Sequence, residues 1–361
     1  MAESMVIYCR AGFEREVAQE ITAEASRSEV EGFVRAKPDS GFAVFQAHDP
    51  AAAEALAAGI DFSSLIFARQ LIRYATLVSD LPVGDRIGPI VAAARERGTR
   101  FQGLHVDMPD TNDGKALSAL IKPLMPHLEK ALAKAGVVLD EPRSPDRLHI
   151  FFVGGTACYV GVSAIGNSSP FPMGIPRLRM PHGAPSRSTL KLAEALMVFL
   201  GPEETAKRIT PGMTAVDLGA SPGGWTWQLV QRHVKVLAID NGEMDPALLE
   251  TGLVKHWRED AFHYRPKDPV DWMVCDMVES PSRIAQLVAT WISKGWCREC
   301  IFNLKLPMKK RWEEVQRCRA ISDEALGGSG YYMRLKQLYH DREEVTGYLA
   351  RRVAGQINSQ Q

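Results

Sequence analysis

A glycine-rich turn is the most specific chemical signal in the sequence. Residues 215–226 read Ala-Val-Asp-Leu-Gly-Ala-Ser-Pro-Gly-Gly-Trp-Thr, so a short apolar strand leads into a turn with Gly219, Gly223 and Gly224 and then into a helix. Glycine lets the backbone turn tightly and lets a ligand lie against it, and the start of a helix offers free N–H groups. This segment, called the glycine turn below, predicts a site for a nucleotide-like ligand.

The other residues of the glycine turn discriminate between two such ligands. A dinucleotide-binding turn reads G-x-G-x-x-G and holds pyrophosphate at the helix N-terminus. Here Ser221 replaces the middle glycine and Pro222 follows it. Asp217, two residues before the first glycine, would repel pyrophosphate but suits a cationic ligand. We therefore expect S-adenosylmethionine, which carries a sulfonium and an ammonium group, rather than NAD.

Two acidic residues further along the chain are candidates to complete this site. Asp240 ends the next predicted strand, where an acid accepts the ribose hydroxyls in nucleotide sites of this type. Asp260 is a candidate contact for the adenine, with a solvated loop acid as the alternative interpretation.

A second set of charged residues, called the tetrad below, lies at predicted strand ends and helix starts: Lys191, Asp276, Lys305 and Glu344. Asp276 and Lys305 each follow an apolar strand, at the edge of a doubly wound sheet where ligands bind. A neutral lysine can deprotonate a ribose 2′-hydroxyl as it attacks a sulfonium methyl, if burial and a second cation lower the lysine pKa. Nearby carboxylates raise that pKa, so the sequence leaves the net shift open. Four structural ion-pair residues are the alternative.

Alternating strands and helices must position these residues. After a predicted helix over residues 188–200, the chain has four short apolar strands, with a helix following the glycine turn. The predicted strands cover residues 214–218, 234–239, 271–275 and 299–304. Short apolar strands with helical crossovers predict an α/β fold with a doubly wound, mostly parallel sheet.

The first half of the chain predicts two smaller α+β modules. Residues 1–80 alternate strands with helices, and residues 81–165 place a long helix, 115–135, between strands. Residues 166–185 are dense in proline and glycine, which is typical of a linker. We therefore expect the doubly wound domain to occupy residues 186–361.

The order of these motifs resembles that of the FtsJ/RrmJ-type ribose 2′-O-methyltransferases, whose Lys-Asp-Lys-Glu tetrad matches the four charged residues. More narrowly, the chain resembles the bacterial enzymes that methylate a cytidine ribose of 23S rRNA. The match runs nearly end to end and includes Met-Gly-Ile-Pro-Arg-Leu at 173–178 and Asp-Thr-Asn-Asp-Gly-Lys at 110–115. Glu343 and Glu344 are adjacent, and we choose Glu344 because the glutamate of the family precedes a valine.

The resemblance implies a Rossmann-like class I methyltransferase domain, preceded by a ferredoxin-like module and a THUMP RNA-binding module. It implies that Lys305 accepts the proton of the ribose hydroxyl. It also implies which residues contact S-adenosylmethionine, namely Ser188, Ser221, Pro222, Gly223, Gly224, Asp240, Asp260 and Asp276.

Two basic clusters flank the predicted crevice. They comprise Arg177, Arg179 and Arg187 before the tetrad lysine at 191, and Lys309, Lys310 and Arg311 after the lysine at 305. Basic residues beside a crevice attract the phosphodiester backbone of RNA, and solvated surface is the alternative. The clusters therefore predict an RNA partner, and the resemblance implies that this RNA is 23S rRNA.

Composition excludes several other classes of protein. Lysine plus arginine (43) equals aspartate plus glutamate (43), so the chain is not a polybasic nucleic-acid tail. No apolar run reaches the roughly 18 residues that a membrane helix needs, and six cysteines are too few for a disulfide scaffold. Cys297 and Cys300 lack the second pair that a zinc site needs, so no metal is expected. We expect a cytoplasmic monomer without a membrane or an obligate protein partner.

Two other functions stay open at this point. The first is an NAD-dependent oxidoreductase built on the same sheet, which Asp217 and the Ser221–Pro222 pair argue against. The second is a non-catalytic rRNA-binding or ribosome assembly factor, which the two N-terminal modules would allow. The complete tetrad argues against it, because a protein without catalysis does not need all four charged groups.

Overall fold

The computed structural model describes residues 4–327 and 330–351, which belong to two compact units, Met1–Pro176 and Arg177–Gln361. Each unit is built on one seven-stranded sheet. Within the described residues, no helix has both the length and the apolar character that a membrane span requires.

The first unit is an α+β fold. Its strands are β1 (Ser4–Tyr8), β2 (Gly32–Ala36), β3 (Phe42–Ala47), β4 (Gln70–Val78), β5 (Leu104–Asp107), β6 (Asp146–Gly154) and β7 (Ala157–Ala164). Its helices are α1 (Glu14–Arg27), α2 (Pro50–Gly59), α3 (Ile87–Arg97) and α4 (Asn112–Lys134), with 3₁₀ turns at Phe62–Ser64 and Pro172–Gly174. The strand order is β2-β3-β1-β4-β7-β6-β5, and β5 and β6 form the parallel pair. The sheet is continuous from β4 to β7, and the module boundary at residue 80 stays a prediction.

Two segments of the first unit differ in detail from the sequence expectations. The apolar residues of segment 100–106 predict a strand, but β5 begins only at Leu104. Phe101 carries the apolar signal of a strand residue because it is buried in the core, yet it lies outside the sheet. Residues 166–176 of the predicted linker pack against this unit, where Gln70 and Ser169 exchange hydrogen bonds. Gly174 lies so close to Arg69 that a β-carbon would stand 2.1 Å from its carbonyl oxygen.

The second unit is a doubly wound α/β fold. Its strands are β8 (Thr214–Leu218), β9 (Lys235–Ile239), β10 (Val254–Trp257), β11 (Val270–Cys275), β12 (Cys297–Lys305), β13 (Tyr331–Lys336) and β14 (Glu344–Arg351). Its helices are α5 (Thr189–Phe199), α6 (Gly201–Arg208), α7 (Gly224–Val230), α8 (Pro246–Glu250), α9 (Pro281–Ser293) and α10 (Arg311–Leu326). The strand order is β10-β9-β8-β11-β12-β14-β13. The first five strands are parallel, so the predicted mostly parallel, doubly wound sheet is confirmed.

The position of β14 decides where the tetrad forms. This strand lies between β12 and β13 and runs antiparallel to both. Neither β13 nor β14 was among the strands predicted from the sequence. Their antiparallel return places Glu344 directly opposite Lys305 in the register of β12 and β14. The carboxyl edge of the parallel sheet therefore receives a side chain from a strand that enters from the other direction.

Candidate active site

The four tetrad residues lie together at the carboxyl edge of the second sheet. Lys305 Nζ is 2.6 Å from Asp276 Oδ1 and 2.7 Å from Glu344 Oε1. Lys191 Nζ is 2.7 Å from Glu344 Oε2 and 3.4 Å from Asp276 Oδ2. Each lysine therefore bridges both carboxylates, and the two positive and two negative charges balance within one compact group.

Each tetrad residue comes from a different element. Asp276 follows β11, Lys305 ends β12, Glu344 begins β14 and Lys191 lies in the first turn of α5. The four side chains are 13–21% exposed, so they are shielded but still within reach of a substrate. Glu343 points elsewhere, since its half-exposed carboxylate pairs with Arg311. The glutamate that lies with the lysines is thus Glu344.

The carboxylates hold Lys305 in its charged form. Burial lowers the pKa of Lys305, but Asp276 and Glu344 outweigh burial and raise that pKa above its usual value. Burial raises the pKa of Glu344, and Lys305 and Lys191 outweigh it and lower that pKa. The shift that the sequence left open therefore goes upward for Lys305. A base at this position has to lose its proton before it can accept another.

The glycines of the turn are packed closely against neighbouring side chains. A β-carbon on Gly219 would stand 2.6 Å from Met277, and one on Gly223 would stand 2.2 Å from Leu248. Gly219 and Gly223 also have φ values of +78° and +116°, which favour glycine. The sequence predicts glycine here for a tight turn and for a ligand that lies against the backbone. The structure adds that neighbouring protein atoms occupy the space at each position.

Asp217 lies buried at the end of β8 and has one unpaired oxygen. Its Oδ2 accepts a 2.6 Å hydrogen bond from the hydroxyl of Thr226, while its Oδ1 has no hydrogen-bond partner among the described residues. Burial raises the pKa of Asp217 to about 7. An unpaired buried carboxylate oxygen at the glycine turn fits a ligand that brings an ammonium group.

The other predicted cofactor residues line the same turn. Asp240, after β9, accepts hydrogen bonds from the backbone N–H groups of Ser221 and Gly242, at 3.0 and 2.7 Å. The Ser221–Pro222 peptide bond is cis, and the Ser221 hydroxyl donates to the carbonyl of Glu243. These bonds fix the path of the glycine turn between β8 and the segment after β9.

Ser188 and Asp260 have different surroundings. The Ser188 hydroxyl is 2.6 Å from that of Ser186, and a β-carbon on Gly224 would stand 2.0 Å from it, so Ser188 abuts the glycine turn. Asp260 is exposed and binds within its own turn, accepting from the Phe262 backbone N–H. Its role with adenine stays a prediction.

The basic residues predicted to bind RNA are mostly on the surface. Arg177, Arg179, Arg187, Lys309 and Lys310 are exposed. Arg311 is half-buried and forms an ion pair with Glu343. This engagement makes Arg311 the least available of the six predicted phosphate contacts.

Three polar residues beside the tetrad escaped the sequence analysis. Asn303 donates to Asp276 Oδ1 at 2.9 Å, and the Thr346 hydroxyl lies 2.7 Å from Asn303 Oδ1 and 2.9 Å from Asp341 Oδ2. Asn303 lies within the predicted strand 299–304, and polar residues inside otherwise apolar strands are a signal that could have identified all but Asp341.

A group of ligand-type atoms in the first unit also went unnoticed. His105, Asp107 and His149 have side-chain atoms within 4.8 Å of one another, because β5 pairs with β6. Burial and the Arg147 charge lower the pKa of His105 to about 4, and burial raises the pKa of Asp107 to about 7. A guanidinium beside the group opposes a bound cation, so we assign no metal to it.

Comparison with known families finds three matches along the chain. Residues 1–72 match the RlmM ferredoxin-like domain, residues 85–164 match the N-terminal region of ribosomal RNA large subunit methyltransferase M, and residues 184–318 match the FtsJ-like methyltransferases. The last match confirms the predicted cofactor, S-adenosylmethionine, which the unpaired oxygen of Asp217 suits. It also excludes the oxidoreductase alternative.

Full-length relatives extend these matches. Ribosomal RNA large subunit methyltransferase M of Methylococcus capsulatus is 51% identical over 348 residues, covering 96% of this chain and 97% of its own. The protein of that name from Cellvibrio japonicus is 52% identical over 347 residues, covering 96% and 98%. Because identity at this level runs through both units and includes the whole methyltransferase domain, the chain belongs to the ribosomal RNA large subunit methyltransferase M family.

Proposed function

We propose that the chain transfers a methyl group from S-adenosylmethionine to the 2′-hydroxyl of a cytidine in 23S rRNA. The tetrad carries this proposal, because two lysines and two carboxylates meet at the edge of the sheet beside the glycine turn. The turn and the tetrad are adjacent, since Met277, the residue after Asp276, lies against Gly219. Cofactor and ribose would therefore meet above Asp276.

Each tetrad residue has a proposed role in moving the proton. S-adenosylmethionine supplies an electrophilic methyl group when it is bound, and Asp217, Asp240 and the glycine turn would hold it. Lys305 Nζ accepts the proton of the ribose hydroxyl, and Lys191 supplies a second positive charge beside it. Asp276 and Glu344 orient both ammonium groups through the ion pairs described above.

Substrate binding prepares Lys305 for this role. The free tetrad keeps Lys305 protonated, because its two carboxylate partners outweigh burial. A ribose above the tetrad displaces water from side chains that are now 13–21% exposed. Desolvation disfavours a charged ammonium, so the loss of this water on substrate entry would favour the neutral Lys305 that proton acceptance needs, with the lysine proton leaving together with the displaced water.

RNA capture is proposed for the N-terminal modules together with the basic clusters. Residues 1–80 would form the ferredoxin-like module, residues 81–165 the THUMP module and residues 166–185 the connection to the methyltransferase domain. The exposed arginines of 177–187 and the two exposed lysines after β12 would contact phosphates. We expect the protein to act as a monomer.

The decisive experiment maps methylation on 23S rRNA that was isolated from cells lacking this protein. The RNA is incubated with the full chain and cofactor, digested, and analysed by mass spectrometry for ribose and base methylation. A single new 2′-O-methylcytidine supports the proposal. A methyl group on a base would refute ribose chemistry, and ribose methylation of another nucleotide would refute the cytidine assignment.

A further inference from the structure

A buried hydrogen-bond chain leads from Asp341 to the tetrad. Thr346 Oγ1 lies 2.9 Å from Asp341 Oδ2 and 2.7 Å from Asn303 Oδ1, and Asn303 Nδ2 lies 2.9 Å from Asp276 Oδ1. Asn303 and Thr346 are fully buried, and Asp341 is 1% exposed. Asp276 is thus held from behind by groups that water does not reach.

Strand register accounts for this arrangement. Asn303 and Lys305 are two residues apart on β12, so their side chains leave the same face of the sheet. On β14, Thr346 stands opposite Asn303, as Glu344 stands opposite Lys305. The tetrad pair and the pair behind it are therefore successive cross-strand pairs on one face, with Asp341 completing the chain from the preceding loop.

Each hydrogen bond between Asp276 and Asp341 has only one possible donor. The carboxylate of Asp276 has no proton to give, so Asn303 must present its NH₂ group to it and its carbonyl oxygen to Thr346. The single hydroxyl proton of Thr346 then lies between Thr346 and Asn303, because two oxygens 2.7 Å apart need a proton between them. The remaining contact, between Thr346 and Asp341, needs a donor on the side of Asp341.

The surroundings of Asp341 favour a proton on its carboxyl group. Burial raises the pKa of Asp341 well above its usual value, and the negative charges of Glu344 and Glu194 raise it further. Glu194 does not bond to Asp341. It accepts hydrogen bonds from the backbone N–H groups of Tyr339 and His340 and from the His340 ring. The backbone N–H of Leu338 also donates to Asp341 Oδ2, and a carboxyl O–H can accept that bond while donating its own.

We infer that Asp341, as a protonated carboxylic acid, and Thr346 and Asn303 are positioning residues that orient Asp276 within the tetrad. A neutral Asp341 leaves the two lysines balanced by two carboxylates. The chain fixes Asp276 Oδ1, the atom that Lys305 also binds at 2.6 Å. The inference deepens the proposed function, because it assigns residues that set the geometry of the same proton transfer.

Replacing Asp341 with two different residues tests the protonation state. Asp341→Asn keeps a neutral side chain whose NH₂ group can donate to Thr346, whereas Asp341→Ala removes the donor. Neither variant accepts the Leu338 backbone N–H at this position, so their comparison isolates the bond to Thr346. We expect the single-turnover rate of Asp341→Asn to stay within about threefold of the native rate. The rate of Asp341→Ala should fall by roughly 10- to 100-fold, since a displacement of about 1 Å in a reacting group costs up to about 10²-fold. Equal losses of rate in both variants would show that Asp341 acts as an anion. No loss of rate in either variant would show that the hydrogen-bond chain has no role in catalysis.

Thr346 provides an independent test with a matched control. Thr346→Val keeps the shape but removes the hydroxyl, and Thr346→Ser keeps the hydroxyl. We expect Thr346→Val to lower kcat by about tenfold or more, with KM for RNA unchanged, and Thr346→Ser to retain most of the native kcat. A residue that only supports folding would affect the melting temperature without this split between kcat and KM. Equal kcat values in the two variants would overturn the inference.

Total methyl transfer from radiolabelled S-adenosylmethionine is the readout for these variants. It measures the rate wherever the methyl group arrives, so the comparison of Asp341→Asn with Asp341→Ala remains valid if the native product is not 2′-O-methylcytidine. Product mapping of the native protein then judges the proposed function separately. The two conclusions therefore fail on different measurements.

Discussion

Replacing Lys305 separates its role as a base from its role as a positive charge. Lys305→Ala removes both, whereas Lys305→Arg keeps the charge but cannot accept a proton, because a guanidinium stays protonated at any working pH. General-base catalysis contributes about 10²–10⁴-fold. We therefore expect both variants to lose at least about 10²-fold in the rate of methyl transfer.

The structure also sets the expected cost in stability. Removing one partner of a buried ion pair costs about 3–5 kcal/mol when the remaining charge has no other partner. In Lys305→Ala, Lys191 still lies 2.7 Å from Glu344 and 3.4 Å from Asp276, so both carboxylates keep a cation. We expect a loss in unfolding free energy of roughly 1–3 kcal/mol for Lys305→Ala. Lys305→Arg, which retains both partners, should lose less than about 1 kcal/mol.

The assay is single-turnover methyl transfer to 23S rRNA, with cofactor affinity measured by calorimetry and stability by urea unfolding. Lys294→Arg is the matched control, since Lys294 is an exposed lysine of the same domain that has no proposed role. Cofactor affinity should be unchanged in all three variants. If Lys305→Arg keeps a substantial part of the native rate, Lys305 acts through its charge alone and the base lies elsewhere.

Three further outcomes are expected. Asp240→Ala should weaken S-adenosylmethionine binding by about 1–3 kcal/mol, since the turn also loses its bonds to Ser221 and Gly242, and an unchanged dissociation constant in calorimetry would contradict this. RNA affinity should fall linearly with log salt concentration, and replacing Arg179 and Arg187 with alanine should reduce the slope by about 1 per lost phosphate contact; an unaltered slope argues against this surface. Burial raises the pKa of Asp107 to about 7 in the folded protein, so its folded form is favoured while protonated, and this stability is lost as pH rises from about 4 to about 7. Between pH 4 and pH 8, the unfolding free energy of Asp107→Asn should therefore rise by up to about 4 kcal/mol relative to that of the native protein. Equal pH dependence of urea unfolding in both proteins would count against this.

The sequence alone was enough for the features that depend on neighbouring residues. The apolar strand, the glycines and the helix start of residues 215–226 are local signals, and they located both the turn and the class of cofactor. Short buried strands with helical crossovers predicted the parallel part of the sheet because each such strand carries its own apolar run. Family resemblance supplied the order of the tetrad residues.

Only the tertiary structure decided how the tetrad is charged and held. Glu344 reaches Lys305 because β14 returns antiparallel beside β12, a pairing between segments far apart in the chain that no local pattern encodes. The same register brings Thr346 behind Asn303. The direction of the Lys305 pKa shift depends on whether burial or the two carboxylates dominate, and that balance exists only after distant groups are brought within about 3 Å of each other. Electrostatic energies depend on distance and on the surrounding medium, and folding sets both.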